Sequence, residues 1–242
     1  MKKNTTNMDQ LLPEGKWIFD EAVTNCFDNM IERSIPDYQN MRSLVFDIGK
    51  KFVQENTSIL DLGCSTGIAL EPFIENFYLT NTFVGVEISK AMFSAITSKY
   101  TKEINDEKVQ IHNIDLEKDF PKTINSVVLS ILTLQFTNPK CRLKILKSVW
   151  NSLCPGGCFI LVEKLISDHN IFENYFTDIY YTMKKKHGYT DEQIKRKKLS
   201  LQGVMQPFSA RKNEELLKKA GFKDFECFWR HLNFAGWICI KK

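Results

Sequence analysis

Asp61 and Glu87 are the carboxylates whose surroundings most plainly suggest chemistry. The run Ser58-Ile-Leu-Asp-Leu-Gly-Cys-Ser-Thr-Gly67 sets an acid near the end of an apolar segment and opens at once into small residues. Gly63, Ser65 and Gly67 permit a tight turn in which a ligand lies against bare backbone. About twenty residues past Gly67, a second apolar run, Phe83 to Val86, ends in Glu87, a carboxylate placed to accept both hydroxyl protons of a ribose. Asp61 would crowd a pyrophosphate drawn to a helix N-terminus, so the expected ligand is a positively charged nucleoside rather than a dinucleotide. Asp115, after the run Val109 to Ile114, can present a third carboxylate to a base amino group, or can simply cap its own loop.

Holding these groups in one place requires a sheet. Ile59 to Leu62, Phe83 to Val86, Val109 to Asp115, Ser126 to Leu132 and Phe159 to Val162 read as buried strands. The apolar spacings Ile68–Phe77, Ala91–Tyr100 and Leu143–Leu153 read as the helices between them, the first fed directly by the small-residue turn. Such alternation implies an α/β fold, a mainly parallel sheet covered on both faces. Two helices precede it, from Trp17 and from Met41, forming a helical cap over residues 1–55. Residues 165–207 form a helical insertion, and Asp224 to Arg230 with Asn233 to Ile240 form a terminal antiparallel pair. One domain spans 1–242, with residues 1–15 polar and frayed.

Composition narrows the class. With 43% hydrophobic and 26% charged residues the chain is an ordinary globule, and its formal net charge of +4 demands no anionic partner. No apolar leader follows Met-Lys-Lys-Asn, and no run reaches the ~18 apolar residues of a membrane span, so a cytoplasmic location is expected. Seven irregularly spaced cysteines read as reduced thiols, and Cys154-Pro-Gly-Gly-Cys158, without a second ligand pair, reads as a helix stop before a strand rather than a metal site. The basic cluster Lys184–Lys186 and Lys195–Lys198 reads first as a solvated helix face, then as an anionic-substrate surface, and last as a nucleic-acid surface. Tyr180, Tyr181 and His231 are polar groups within reach of a pocket.

Asp61-x-Gly-x-x-x-Gly67 with Glu87 resembles the first two motifs of the class I methyltransferases, whose Rossmann-like fold and S-adenosylmethionine cofactor are thereby implied. The sulfonium and ammonium of that cofactor suit Asp61. Trp17-Ile-Phe-Asp-Glu-Ala-Val, Met30 to Tyr38, Thr133-Leu-Gln-Phe136, Asn151 to Gly157, Glu163-Lys164, Gly188-Tyr189, Gly203-Val-Met205 and Asn233-Phe234 further resemble the carboxy-S-adenosylmethionine synthases and their close methyltransferase relatives. The resemblance implies that Tyr38 touches the cofactor, that Gly63, Cys64 and Ser65 line its methionine end, that Glu87 and Ile88 take the ribose and adenine edge, and that Asp115 and Leu116 lie beside the base.

Two positions depart from that family. The arginine that holds a carboxylate there is Lys198 here, which keeps the charge and loses the planar fork; Arg196, two residues away on a helix, points about half a circle off. An asparagine on the fourth strand falls at Ser130 or Ile131, depending on where a one-residue insertion lies. The first expectation is therefore methyl transfer to a small metabolite that can be anionic. The alternative is carboxy-S-adenosylmethionine synthesis from prephenate, serving tRNA wobble-uridine modification. No catalytic base is singled out, a homodimer is implied by the resemblance, and neither a membrane nor direct nucleic-acid binding is expected.

Overall fold

The computed structural model describes residues 11–242, so residues 1–10, part of the segment read as polar and frayed, lie outside the described residues. Seven strands form one sheet in the order β3-β2-β1-β4-β5-β7-β6. They are β1 (Ser58–Leu62), β2 (Thr82–Val86), β3 (Val109–His112), β4 (Asn125–Ile131), β5 (Leu153–Lys164), β6 (Asp224–His231) and β7 (Phe234–Ile240). The first five pair in parallel; β7 runs antiparallel to β5 and to β6.

Burial follows from the period of two. Ile59, Val127, Leu129 and Ile160 enter one core with Met41, Phe73 and Ile96, while Leu60, Val128, Phe159 and Leu161 enter the other with Leu146, Val149, Leu217 and Trp237. Each face is covered by helices, which is why β1 and β4 read as largely apolar runs. Strand order reverses between β1 and β4, so the crevice at their carboxyl ends is where such a sheet takes its ligand.

Four boundaries differ from expectation. The first helix, α1, is Glu21–Ser34, not from Trp17: Asp20 caps it by accepting from the Val23 amide at 2.9 Å, and Trp17 instead donates its amide to Ser200. Helix α2 is Tyr38–Gly49. The helix after the small-residue turn, α3 (Glu71–Phe77), starts four residues beyond Gly67. Ser65 and Gly67 hold positive φ (48° and 81°), which no helix propagates, and Pro72, lacking an N–H, fits a first turn. The cradle is thus a loop, not a helix N-terminus. Strand β3 ends at His112, so Asp115 lies in the following turn.

Helices α4 (Lys90–Lys99), α5 (Thr101–Asn105) and α6 (Arg142–Ser152) complete the crossovers. Pro155-Gly-Gly157 sits inside the start of β5 at a register shift: Asn125 pairs with Leu153, but Val127 pairs with Cys158. The insertion contributes α7 (Asn170–Lys186) and α8 (Asp191–Ser200), the latter opened by a Thr190–Gln193 capping box, before α9 (Ala210–Ala220). Arg33 ties α1 to the insertion, donating from Nε to the His187 carbonyl at 2.8 Å and lying 4.2 Å over the Tyr189 ring. Cap and insertion together roof the carboxyl end of the sheet.

Candidate functional site

The floor of the crevice is built by backbone. The amides of Gly63 and Cys64 both donate to the Val86 carbonyl, at 2.8 and 3.0 Å, locking the loop after β1 onto β2. A Cβ on Gly63 would meet the Thr133 side chain at 2.5 Å, so glycine lets this loop lie against the segment that follows β4. Glu87 organises the rim: one carboxylate oxygen accepts from the Ser65 amide at 3.0 Å, the other from the Ser89 amide at 2.8 Å. Burial raises the Glu87 carboxyl above its usual range, and those amides oppose the rise.

Asp61 lies buried beneath this floor. Burial drives its carboxyl up to about 7, against the Arg42 guanidinium and with the nearby Glu87 charge. A cation bound above favours the ionised form and lowers that value, so affinity for a sulfonium ligand rises with pH through about 7 and then levels off. Titrating S-adenosylmethionine by calorimetry from pH 6 to 8 checks this; S-adenosylhomocysteine, which lacks the sulfonium charge, should show a shallower rise.

Above the floor lies a cavity of about 590 Å³, within the range of small-molecule sites. Of the residues anticipated, Gly63, Ser65, Glu87, Ile88, Asp115, Leu116, Ile131 and Lys198 line it. Tyr38, Asp61 and Cys64 do not; they are buried around and below it. Of the two fourth-strand alternatives, Ile131 faces the cavity, whereas Ser130 is wholly buried with its hydroxyl unpartnered among the described residues. Next door, Leu132 holds a φ of 62°, unusual for leucine. Arg196 is absent from the lining, and its guanidinium pairs with Glu192 along α8 at 3.0 Å. Asp115 accepts from the Glu117 amide and pairs with Lys118, both at 3.0 Å; despite partial burial, these hold its carboxyl below the usual range. It caps its turn while also facing the cavity.

The basic cluster splits. Lys185 pairs with Asp191, but Lys184, Lys197 and Lys198 line the cavity, joined by Lys164 from the end of β5 and by Tyr180, Tyr181 and Phe234. One end of the cavity is therefore acidic, through Glu87 and Asp115, and the other is cationic and aromatic. Lys164 was legible only as half of the Glu163-Lys164 dipeptide; its position at the carboxyl end of a parallel strand was the signal that it faces the ligand crevice. Tyr180 packs under it. His231, at the end of β6, is not in the lining.

Fit to S-adenosylmethionine rests on that acidic end: a carboxylate placed for the ribose, a second acid under the floor, and a loop whose Gly63 lies so close to Thr133 that a Cβ would clash there. When bound, the cofactor supplies an activated methyl on a sulfonium. Glu87 and the Gly63–Ser65 backbone are the groups that would orient it, and the apolar walls would keep water away.

A family model described as a methyltransferase domain matches residues 59–157. The chain is 34% identical over 227 residues to the carboxy-S-adenosyl-L-methionine synthase of Staphylococcus epidermidis, covering 93% of this chain and 97% of that one. It is 36% identical over 232 residues to the protein of the same name from Nautilia profundicola, covering 94% and 96%. Among solved structures it resembles an O-methyltransferase family protein from Burkholderia thailandensis (TM-score 0.64, 14% identity, 92% of this chain). It also resembles human N-acetylserotonin methyltransferase in complex with S-adenosylmethionine (TM-score 0.52, 16% identity, 93% of this chain). The chain spans 60% of the length of each of those two structures, which share its fold.

Proposed function

Because the chain belongs to the carboxy-S-adenosyl-L-methionine synthase family and is an S-adenosylmethionine-dependent transferase, we propose that it moves a carboxylate from prephenate onto the cofactor's methyl group. The observation that carries this is the shared cavity: Lys198, the residue standing where the family's arginine is implied, opens onto the same space as Glu87. An acidic end suits the cationic nucleoside and a lysine end suits a dicarboxylate. In the reaction one methyl hydrogen is replaced by the carboxyl. That hydrogen leaves as a proton and joins the ring hydroxyl lost as prephenate aromatises, giving water and phenylpyruvate. The chain's own part is to hold the two partners together and exclude water.

The order of the two expectations from sequence is thereby reversed, though both use the same cradle. Methyl transfer to a small anion remains the second reading, favoured by the missing fork at Lys198 and by Ile131 where an asparagine is implied. Incubation with both compounds separates them: phenylpyruvate should appear only when S-adenosylmethionine is present and in step with its consumption. Prephenate left intact while the demethylated cofactor accumulates would favour the second reading.

The proposal includes a cytoplasmic homodimer. Seven free thiols suit a reducing compartment. Ile171, Phe172, Tyr175 and Ile179 lie roughly half exposed along one face of α7, an apolar stripe that a second copy would cover. Light scattering should give twice the chain mass, and Tyr175→Glu should shift it toward the monomer; monomeric wild-type protein at micromolar concentration would refute the dimer. Direct nucleic-acid binding forms no part of the reading, since three of the clustered lysines line the cavity.

A further inference from the structure

Two ammonium groups, those of Lys164 and Lys198, open onto the cationic end of the cavity and feel each other's charge, and no ion pair engages either among the described residues. Lys164 stands at the end of β5, its backbone amide fixed by donation to Gln135 Oε1 at 2.7 Å. Its Nζ lies 4.8 Å from the centre of the Tyr180 ring and 5.9 Å from that of Phe234. Lys198 reaches in from α8, with Nζ 5.9 Å from the centre of the Tyr181 ring. The two tyrosine rings are neighbours, 5.8 Å apart, so α7 supplies adjacent aromatic faces for two cations. An aromatic face steadies an ammonium without accepting its protons in ordinary hydrogen bonds, leaving the N–H donors for something else. The acid whose charge reaches Lys164, Glu173, already accepts from the Ser167 amide and the Thr177 hydroxyl.

We propose that Lys164 and Lys198 together form a two-ammonium seat for one carboxylate of the anionic co-substrate. Two point charges from separate elements take over what a single planar guanidinium does by its fork. The seat selects a carboxylate carried on a flat or unsaturated ring, because its walls are Tyr180, Tyr181 and Phe234. This rests on the reading above that an anion binds beside the cofactor, and it names Lys164 as a substrate-binding residue of that site. Burial, opposed by Glu173 and reinforced by Lys198, lowers the Lys164 ammonium to about 8; a bound carboxylate offsets both the desolvation and the mutual repulsion. The anion therefore requires protonated Lys164, and its affinity falls as pH rises through about 8. The charged and titratable groups facing Lys164 in this lobe are Glu173, Tyr180, Tyr181 and Lys184 on α7 and Lys198 on α8.

The test is calorimetry on the full chain saturated with S-adenosylhomocysteine, titrated with prephenate and, separately, with phenylpyruvate. Lys164→Met and Lys198→Met should each weaken prephenate roughly 10- to 100-fold, the size of a lost hydrogen bond to a charged group. Lys164→Arg should restore most of the affinity and flatten its fall between pH 7 and 9. Homocysteine-nucleoside affinity should stay within about twofold in every variant, which certifies the fold. Lys164→Met that binds prephenate as the wild type does would overturn the seat while leaving the functional reading standing. Loss of nucleoside binding in that variant would overturn it too, by making Lys164 a structural residue. Wild-type protein that binds the nucleoside but neither anion would overturn both.

Discussion

Arg142→Met should lower folding stability by about 3–5 kcal/mol, the range for stripping one partner from a buried charged network. Arg142 is 1% exposed, and its Nη2 donates to the carbonyls of Gln135, Thr137 and Gln206 at 3.4, 3.1 and 2.7 Å. Methionine fills much of the volume but leaves the Thr137 and Gln206 carbonyls without this donor, each a cost of about 1–3 kcal/mol if water cannot replace it, while the Gln135 carbonyl keeps the Gln206 amide at 2.7 Å. Glu163 is buried nearby. Burial lifts its carboxyl to about 8, while Arg142 and the amides of Leu134, Gln135 and Thr133 pull it down. A carboxyl raised above its ordinary 4.5 stabilises the fold fully at low pH and loses that contribution as pH climbs toward the folded value. Removing the guanidinium raises the folded value further, so the loss in Arg142→Met should be larger near pH 9 than near pH 6. Urea denaturation at the two pH values measures it; a difference under about 1 kcal/mol would mean the brace is dispensable. Because Gln135 and Thr137 line the cavity and Gln135 fixes Lys164, activity should fall with stability.

Glu87→Ala should weaken S-adenosylmethionine binding by about 1–3 kcal/mol, or roughly 10- to 100-fold. The carboxylate joins the Ser65 and Ser89 amides while facing the cavity, so its loss removes the proposed ribose acceptor and frees two donors at once. Glu87→Gln preserves the shape but turns one acceptor into a donor aimed at a backbone N–H, so it should recover only part of the affinity. Calorimetry with the cofactor alone is the measurement. An unchanged dissociation constant in Glu87→Ala would refute the ribose assignment, whatever the acceptor proves to be.

How far the sequence could be read depended on the range of the interaction. β1 and β4 were legible because strands buried on both faces are mostly apolar, and Glu87 because a fixed offset separates it from the glycine turn. Helix α3 and strand β3 were misjudged at the ends facing the ligand. There Ser65 and Gly67 take positive φ, and Asp115 spends its carboxylate on its own turn; neither conformation leaves a trace in hydrophobic spacing. Lys164 was opaque for a different reason. A lysine after an apolar strand has no pattern of its own, and its meaning comes from Tyr180, Phe234 and Lys198, which the fold brings together from elsewhere in the chain. The same holds for Arg142, whose partner carbonyls come from Gln135, Thr137 and the distant Gln206.

On the proposed reading, a cavity acidic at one end and cationic at the other holds a sulfonium nucleoside and a carboxylate side by side. Mass spectrometry of the cofactor after incubation of the pure enzyme with S-adenosylmethionine, with and without prephenate, tests this most directly. A cofactor that gains one carboxyl group only when prephenate is present is the predicted result. A cofactor that stays unmodified in both samples, or merely loses its methyl group, would contradict it.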